Sequence, residues 1–141
     1  MDLGHWTLSN GVYWHDNVFG FIYEITNKVT GKFYIGKKQC LRKIKRKPLK
    51  GKTRNRIDHV ESDWKEYSGS SNDLQEDIKK YGKENFTHTI LKLCNSKWEL
   101  SYFEAKEQMS RDVLLIENSY NGILNLKIPK APKHLRSVVS F

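Results

Sequence analysis

The sequence has little of what marks a membrane, secreted or zinc-bound protein. No apolar run approaches the roughly 20 residues that span a bilayer. The opening MDLGHWTLSN lacks the charged-then-apolar pattern of a secretory signal. Only two cysteines occur, Cys40 and Cys94, far apart and outside any C-x-x-C spacing. Neither a disulfide framework nor a thiolate metal site is therefore expected, and a reducing cytoplasmic setting is. The five histidines (5, 15, 59, 88 and 134) never fall at H-x₃-H or similar spacing, which argues against zinc. GxSxG, Walker and GxGxxG patterns are all missing, which removes the commonest signatures of serine hydrolases, P-loop enzymes and dinucleotide binders. Cys94 has no base near it in the sequence, so thiol catalysis lacks support.

What is present is charge. The 141 residues, one domain by length, carry a net +9. Residues 37–56, KKQCLRKIKRKPLKGKTRNR, hold seven Lys, four Arg and no acid, so this stretch alone carries +11 and the rest of the chain −2. A local patch of this kind attracts a polyanion through phosphate contacts and counterion release. A solvated basic loop is the alternative. A membrane surface fits less well, because the run has no stripe of large apolar residues.

Residues 1–18, with Trp6, Tyr13 and Trp14 among small polar residues, read as an irregular arm lying over the core. Residues 19–27 and 32–38 read as paired strands, with Gly31 supplying a positive-φ turn position between them. Apolar residues on both faces of the first strand predict cover on both sides. The basic insertion 37–56 follows, with Pro48 and Gly51 arguing against one long helix. A helix over the segment SSNDLQEDIKKYGKENF is predicted with Asn72 and Gln75 as capping box and Gly82 as its end. A third strand spans 86–94, and a second helix runs from a Ser96–Glu99 capping box to about Leu114. The tail 127–141 reads as loosely tethered. The sum is a small α+β domain over about 19–126.

In the second helix Trp98, Tyr102, Ala105, Met109 and Val113 form one apolar stripe, and Leu100, Phe103 and Leu114 another. Glu107 falls inside the second stripe and Glu104 at its edge. A carboxylate so placed needs a cation, a metal or a donor; solvent at the rim, or Arg111 four residues beyond Glu107, would also serve. Two strand tyrosines, Tyr23 and Tyr34, lie beside the basic run. Singly, each reads as core or rim. As a pair they also suit phosphodiester hydrolysis, where a phenol held near a cation acts as base or aims a water.

The segments FIY and FYIG, carrying Tyr23, Tyr34 and Gly36, resemble the paired motif of the GIY-YIG nuclease superfamily. YSGSSNDLQEDIKKYGKENFTHTILKL is similar to the helix-Gly-strand segment of its phage and intron homing endonucleases. WELSYFEAKEQM looks like the helix with the metal-binding glutamate, and YNG like the late asparagine motif. The resemblance covers about residues 19–125 in the right motif order. It implies a three-stranded antiparallel sheet flanked by helices, and hydrolysis of DNA dependent on Mg²⁺ or Mn²⁺. Carried over, Tyr23 is the general base or water-orienting group and Tyr34 its partner. Glu104 is the metal ligand, with Glu107 as the alternative register, and Asn121 is a supporting polar residue. The family's arginine has no clear counterpart; Arg56, Arg54 and Lys38 are the candidates. Phe21 stands where the motif has Gly.

The expectation is thus a DNA endonuclease, with a non-catalytic nucleic-acid-binding module on the same fold as the alternative. Lys37, Arg42, Lys43, Lys45, Arg46, Lys47, Lys50, Lys52 and Arg54 would grip the DNA backbone without reading sequence. Homing relatives normally add a separate DNA-binding region. Few residues follow position 125, so low specificity is expected, or specificity from the insertion or a partner. One site cuts one strand at a time, so nicking or a homodimer is expected. A phage origin would place the protein in the host cytoplasm.

Overall fold

The computed structural model describes residues 2–139, so Met1 of the arm and residues 140–141 of the tail lie outside the described residues. The two paired strands form as the turn chemistry predicts: β2 (Gly20–Asn27) runs antiparallel to β3 (Phe33–Gln39), and Gly31 between them has φ 77°. The arm adds a short strand of its own, β1 (Thr7–Leu8). The basic insertion is not a loop but a two-stranded antiparallel ribbon, β4 (Leu41–Arg46) with β5 (Arg56–Glu61), and Pro48 and Gly51 fall in its tip. The first helix, α1, covers Asn72–Tyr81 and ends at Gly82. Its cap is Ser71, one residue earlier than expected: the Ser71 hydroxyl accepts the Leu74 N–H, while Gln75 bonds back to Ser68 and Gly69 carbonyls. Strand β6 (Phe86–Cys94) and helix α2 (Lys97–Ser110) complete the set, with the Ser96–Glu99 cap formed as expected.

The main sheet has the order β1-β6-β2-β3. Its three long strands are antiparallel; β1 pairs with β6 in parallel and makes a fourth. Central strand β2 is covered on both faces. Phe21, Tyr23 and Ile25 join Trp6, Trp64, Leu74 and Ile90 on one side, and Ile22 joins Ile35, Leu100 and Val113 on the other. Between Ile22 and Tyr23 the β2–β6 register slips by one residue, a bulge that bends the strand beside Tyr23.

Helix α2 is not enclosed on both sides, as its two stripes predict. Leu100 and Ala105 are buried, but Tyr102 and Met109 stay exposed. The helix also stops earlier, at Ser110, where Asp112 turns the chain with φ 51°. The tail is tethered along this outer side, with Pro129 accepting the Trp98 indole N–H at 2.8 Å. Both cysteines are free and buried. Among the described residues no helix is long and apolar enough to cross a membrane.

On the face of the sheet that carries Tyr23, beside Trp6, the His5 and His88 rings stack at 3.8 Å. Burial, then the charge His5 would carry, lowers His88 from 6.5 to about 4, and burial lowers His5 as well. Above pH 6.5 these rings are neutral in both folded and unfolded chains. Between about 6.5 and 4 the unfolded chain takes up protons that the folded chain refuses, so stability falls as pH falls. Urea midpoints should therefore drop between pH 7 and pH 5, and His88→Gln should flatten that drop.

Candidate active site

The site is built on the free edge of β3, whose alternate residues turn their backbone N–H and C=O groups away from β2. At Phe33 and Ile35 these groups are taken up by residues 118–121 and by α2. Phe33 bonds to the backbone of Asn118 and Tyr120. Ile35 donates to Asn121 Oδ1 at 3.0 Å, and its carbonyl accepts from Asn121 Nδ2 at 2.8 Å and Gln108 Nε2 at 2.9 Å. Both ends of the Asn121 amide are thus engaged with the strand, and Gln108 does the same from α2. Unpaired edge groups would otherwise be exposed or buried at a cost.

On this edge a cleft of about 670 Å³ opens between β3, the start of α1, α2 and the 120–125 segment. Tyr34, Ser70, Glu104, Gln108 and Asn121 line it. Tyr34 Oη lies 3.3 Å from Ser70 Oγ. Tyr23 is diagonal to Tyr34 on the same face of the hairpin, with ring centroids 6.1 Å apart, but it is only 1% exposed and does not line the cleft. Burial, followed by the nearby Tyr34, Tyr67 and Glu104, raises Tyr23 well above its ordinary 10, so its phenol is neutral at pH 7. Burial raises Tyr34 too, against the pull of Ser70. The two rings approach because residue 36, opposite Tyr23, is glycine: a Cβ there would fall 2.5 Å from Tyr23 Oη and 2.8 Å from Tyr34 Cε1.

The two glutamates part company. Glu104, its side chain 19% exposed, points into the cleft with Lys37 Nζ at 3.8 Å. Burial raises its carboxyl above the ordinary value, while the Lys37 ammonium and backbone amide pull it back. Glu107 lies one turn on, outside the cleft, and pairs with Arg111 at 3.0 Å, which also holds Glu24 of β2. Among the described residues no three His, Cys, Asp or Glu side chains cluster around a metal position. A divalent ion here would rest on one carboxylate plus oxygens of water and phosphate, a set that suits Mg²⁺.

The candidate cations are dispersed. Lys38 pairs with Asp63 at 2.7 Å and sits 4.0 Å over the Tyr67 ring, beside Tyr23. Lys37 turns toward α2 rather than the ribbon: its Nζ donates to Ser101 Oγ at 3.2 Å and lies 3.8 Å from Glu104. Arg56 opens β5, opposite Arg46 and five pairs from the ribbon's base, roughly 17 Å along the strands; its Nε donates to the Lys47 carbonyl. Arg54 lies in the ribbon's tip. The structure therefore brings Tyr34, Glu104, Asn121 and Lys37 together, keeps Tyr23 and Lys38 behind them, and leaves Arg54 and Arg56 apart.

Residues 6–127 match the family described as "Putative endonuclease segE, GIY-YIG domain". The chain belongs to the GIY-YIG family. The protein of the same name from Enterobacteria phage T4 is 32% identical over 105 residues, 74% of this chain and 40% of the T4 protein. The chain thus matches well under half the length of that relative. No solved structure gives a significant match.

Within this GIY-YIG domain three contributors escaped the sequence reading. Gln108 is buried against Ile35, and its spacing of four from Glu104 was the available signal. Tyr67 packs edge-on against Tyr23. Tyr120 donates to Asp77 Oδ2 at 2.7 Å and accepts from Asn27, tying the asparagine segment to α1 and the hairpin.

Proposed function

We propose that this GIY-YIG domain is a metal-dependent endonuclease that hydrolyses DNA phosphodiester bonds. The observation that carries the reading is the cleft itself, where an accessible phenol, a half-buried carboxylate and an ammonium meet on one strand edge. Glu104 would hold Mg²⁺ or Mn²⁺, which when bound supplies Lewis-acid polarisation of the phosphoryl oxygens. Tyr34, being the phenol that reaches the cleft, aims the attacking water, its Oη held 3.3 Å from Ser70 Oγ. Tyr23 is neutral and enclosed, and it holds the Tyr34 ring in place from behind. Lys37 lies against the same carboxylate and stabilises the charge that develops on the phosphoryl oxygens. Asn121 and Gln108 fix the strand that carries both. The likeness to a T4 protein supports a phage setting. One such cleft cuts one strand, so a double-strand break requires a second copy.

Supercoiled plasmid should convert to nicked circles with Mg²⁺ or Mn²⁺ and remain intact with EDTA. Tyr34→Phe should slow nicking by about 100-fold, the usual scale for a group that positions or deprotonates a nucleophile. Gel shifts without any cutting by the unaltered chain would leave a DNA-binding module and refute the enzyme.

A further inference from the structure

The ribbon has two unlike faces. Residues directly opposite in an antiparallel pair share a face, and successive residues alternate. The pairs Arg42–Val60, Ile44–Asp58 and Arg46–Arg56 therefore lie on one face, and Lys43–His59 and Lys45–Ile57 on the other. The three arginines of the strands all fall on the first face, and both lysines on the second. The remaining lysines, Lys47, Lys50 and Lys52, are gathered in the exposed tip. A patch that only attracted phosphate would have no reason to sort its guanidinium from its ammonium groups, since either neutralises a phosphate. A bidentate fork matters where base edges are read, because it matches O6 and N7 of guanine.

We infer that the arginine face of this ribbon enters the major groove of a DNA duplex and that Arg42 and Arg56 contact base edges there. The inference rests on DNA being the substrate. The dimensions fit: a two-stranded ribbon is admitted by a groove about 12 Å wide, and six pairs extend about 20 Å. Arg46 is set aside because its Nε is held by Asp58 at 3.0 Å. Arg56 uses only Nε, on the Lys47 carbonyl, which leaves the outer nitrogens of its fork free among the described contacts. Half-buried Ile44 lies between Arg42 and Arg46, with half-buried Val60 opposite Arg42, and the two offer an apolar floor for a thymine methyl. The tip lysines meet phosphates along the groove wall. Sequence preference then comes from the insertion itself.

The test is binding of the full-length chain, in EDTA, to duplexes with a randomised centre, followed by affinity for the selected against a scrambled duplex over a salt series. Arg42→Lys with Arg56→Lys keeps the charge, so the salt slope should hold while preference for the selected duplex falls by about tenfold per arginine. Lys50→Ala with Lys52→Ala should weaken both duplexes equally and reduce the slope by about two. If the arginine pair behaves like the lysine pair, or if neither changes binding, the groove assignment is overturned. The same holds if no sequence emerges from the selection. Plasmid cutting separates the two readings: preference lost with the arginines in a chain that never cuts upholds the ribbon and sinks the nuclease. Cutting without any preference does the reverse.

Discussion

Glu104→Gln is expected to lower metal-dependent nicking by at least about 1,000-fold while the protein remains folded and no less stable. Two separate facts lead there. The carboxylate lines the cleft 3.8 Å from Lys37, so its loss removes the anchor proposed for the cation. Its folded-state pKa is also raised, chiefly by burial. A raised carboxyl favours folding below its unfolded value of 4.5, and that contribution is lost as pH rises through the folded value. At pH 7 the ionised group is therefore a net burden on the fold, and a neutral isostere relieves it. Glu107→Gln should behave oppositely: it breaks the Arg111 pair at a modest cost in stability and leaves nicking within a few-fold. Parallel urea melts and nicking rates check both. An inactive Glu107→Gln beside an active Glu104→Gln would transfer the metal to Glu107.

Gly36→Ala carries the second large effect. The added methyl would stand 2.5 Å from Tyr23 Oη, 2.7 Å from Cζ and 2.8 Å from Tyr34 Cε1, so both phenols must retreat by about 1 Å. Overpacking of this kind costs about 2 kcal/mol. Misplacing a reacting group by that distance costs about 100-fold in rate. Gly31→Asn is the control, since Gly31 has open space around it and a positive φ that asparagine tolerates. Its melting and nicking should match the parent. Full activity in Gly36→Ala would show that the close approach of the two rings is dispensable.

The strands and helices were legible because their signals are local. Gly31 between two apolar runs, Gly82 after a helical repeat and Ser96 three before Glu99 each impose a conformation on their own neighbours. The first cap slipped by one because Ser71 and Asn72 are both competent caps, and only the backbone path, extended at Ser71, chooses between them. The ribbon was hidden because its strand-forming residues, Ile44, Ile57 and Val60, are thinly spread among basic ones. Pairing is what makes those segments strands. The site was half visible. Motif order offered Tyr23, Tyr34, Glu104 and Asn121 as candidates, but which tyrosine reaches the cleft depends on Trp6, Tyr67 and Leu74 closing over Tyr23. Asn121 gives both ends of its amide to Ile35, 86 positions away, and no local pattern records that.

That separation also sets a schedule. The hairpin of β2 and β3 can close as soon as residue 39 has been made, yet the outer amides of β3 find their partners only in α2 and residues 118–121. At ~5–20 residues per second, the 86 positions between Ile35 and Asn121 take roughly 4 to 17 s to synthesise. For that interval the strand is a bare edge on the ribosome, able to pair with any extended segment nearby. The cleft thus comes into being late, and a nascent chain carries its tyrosines long before that cleft exists.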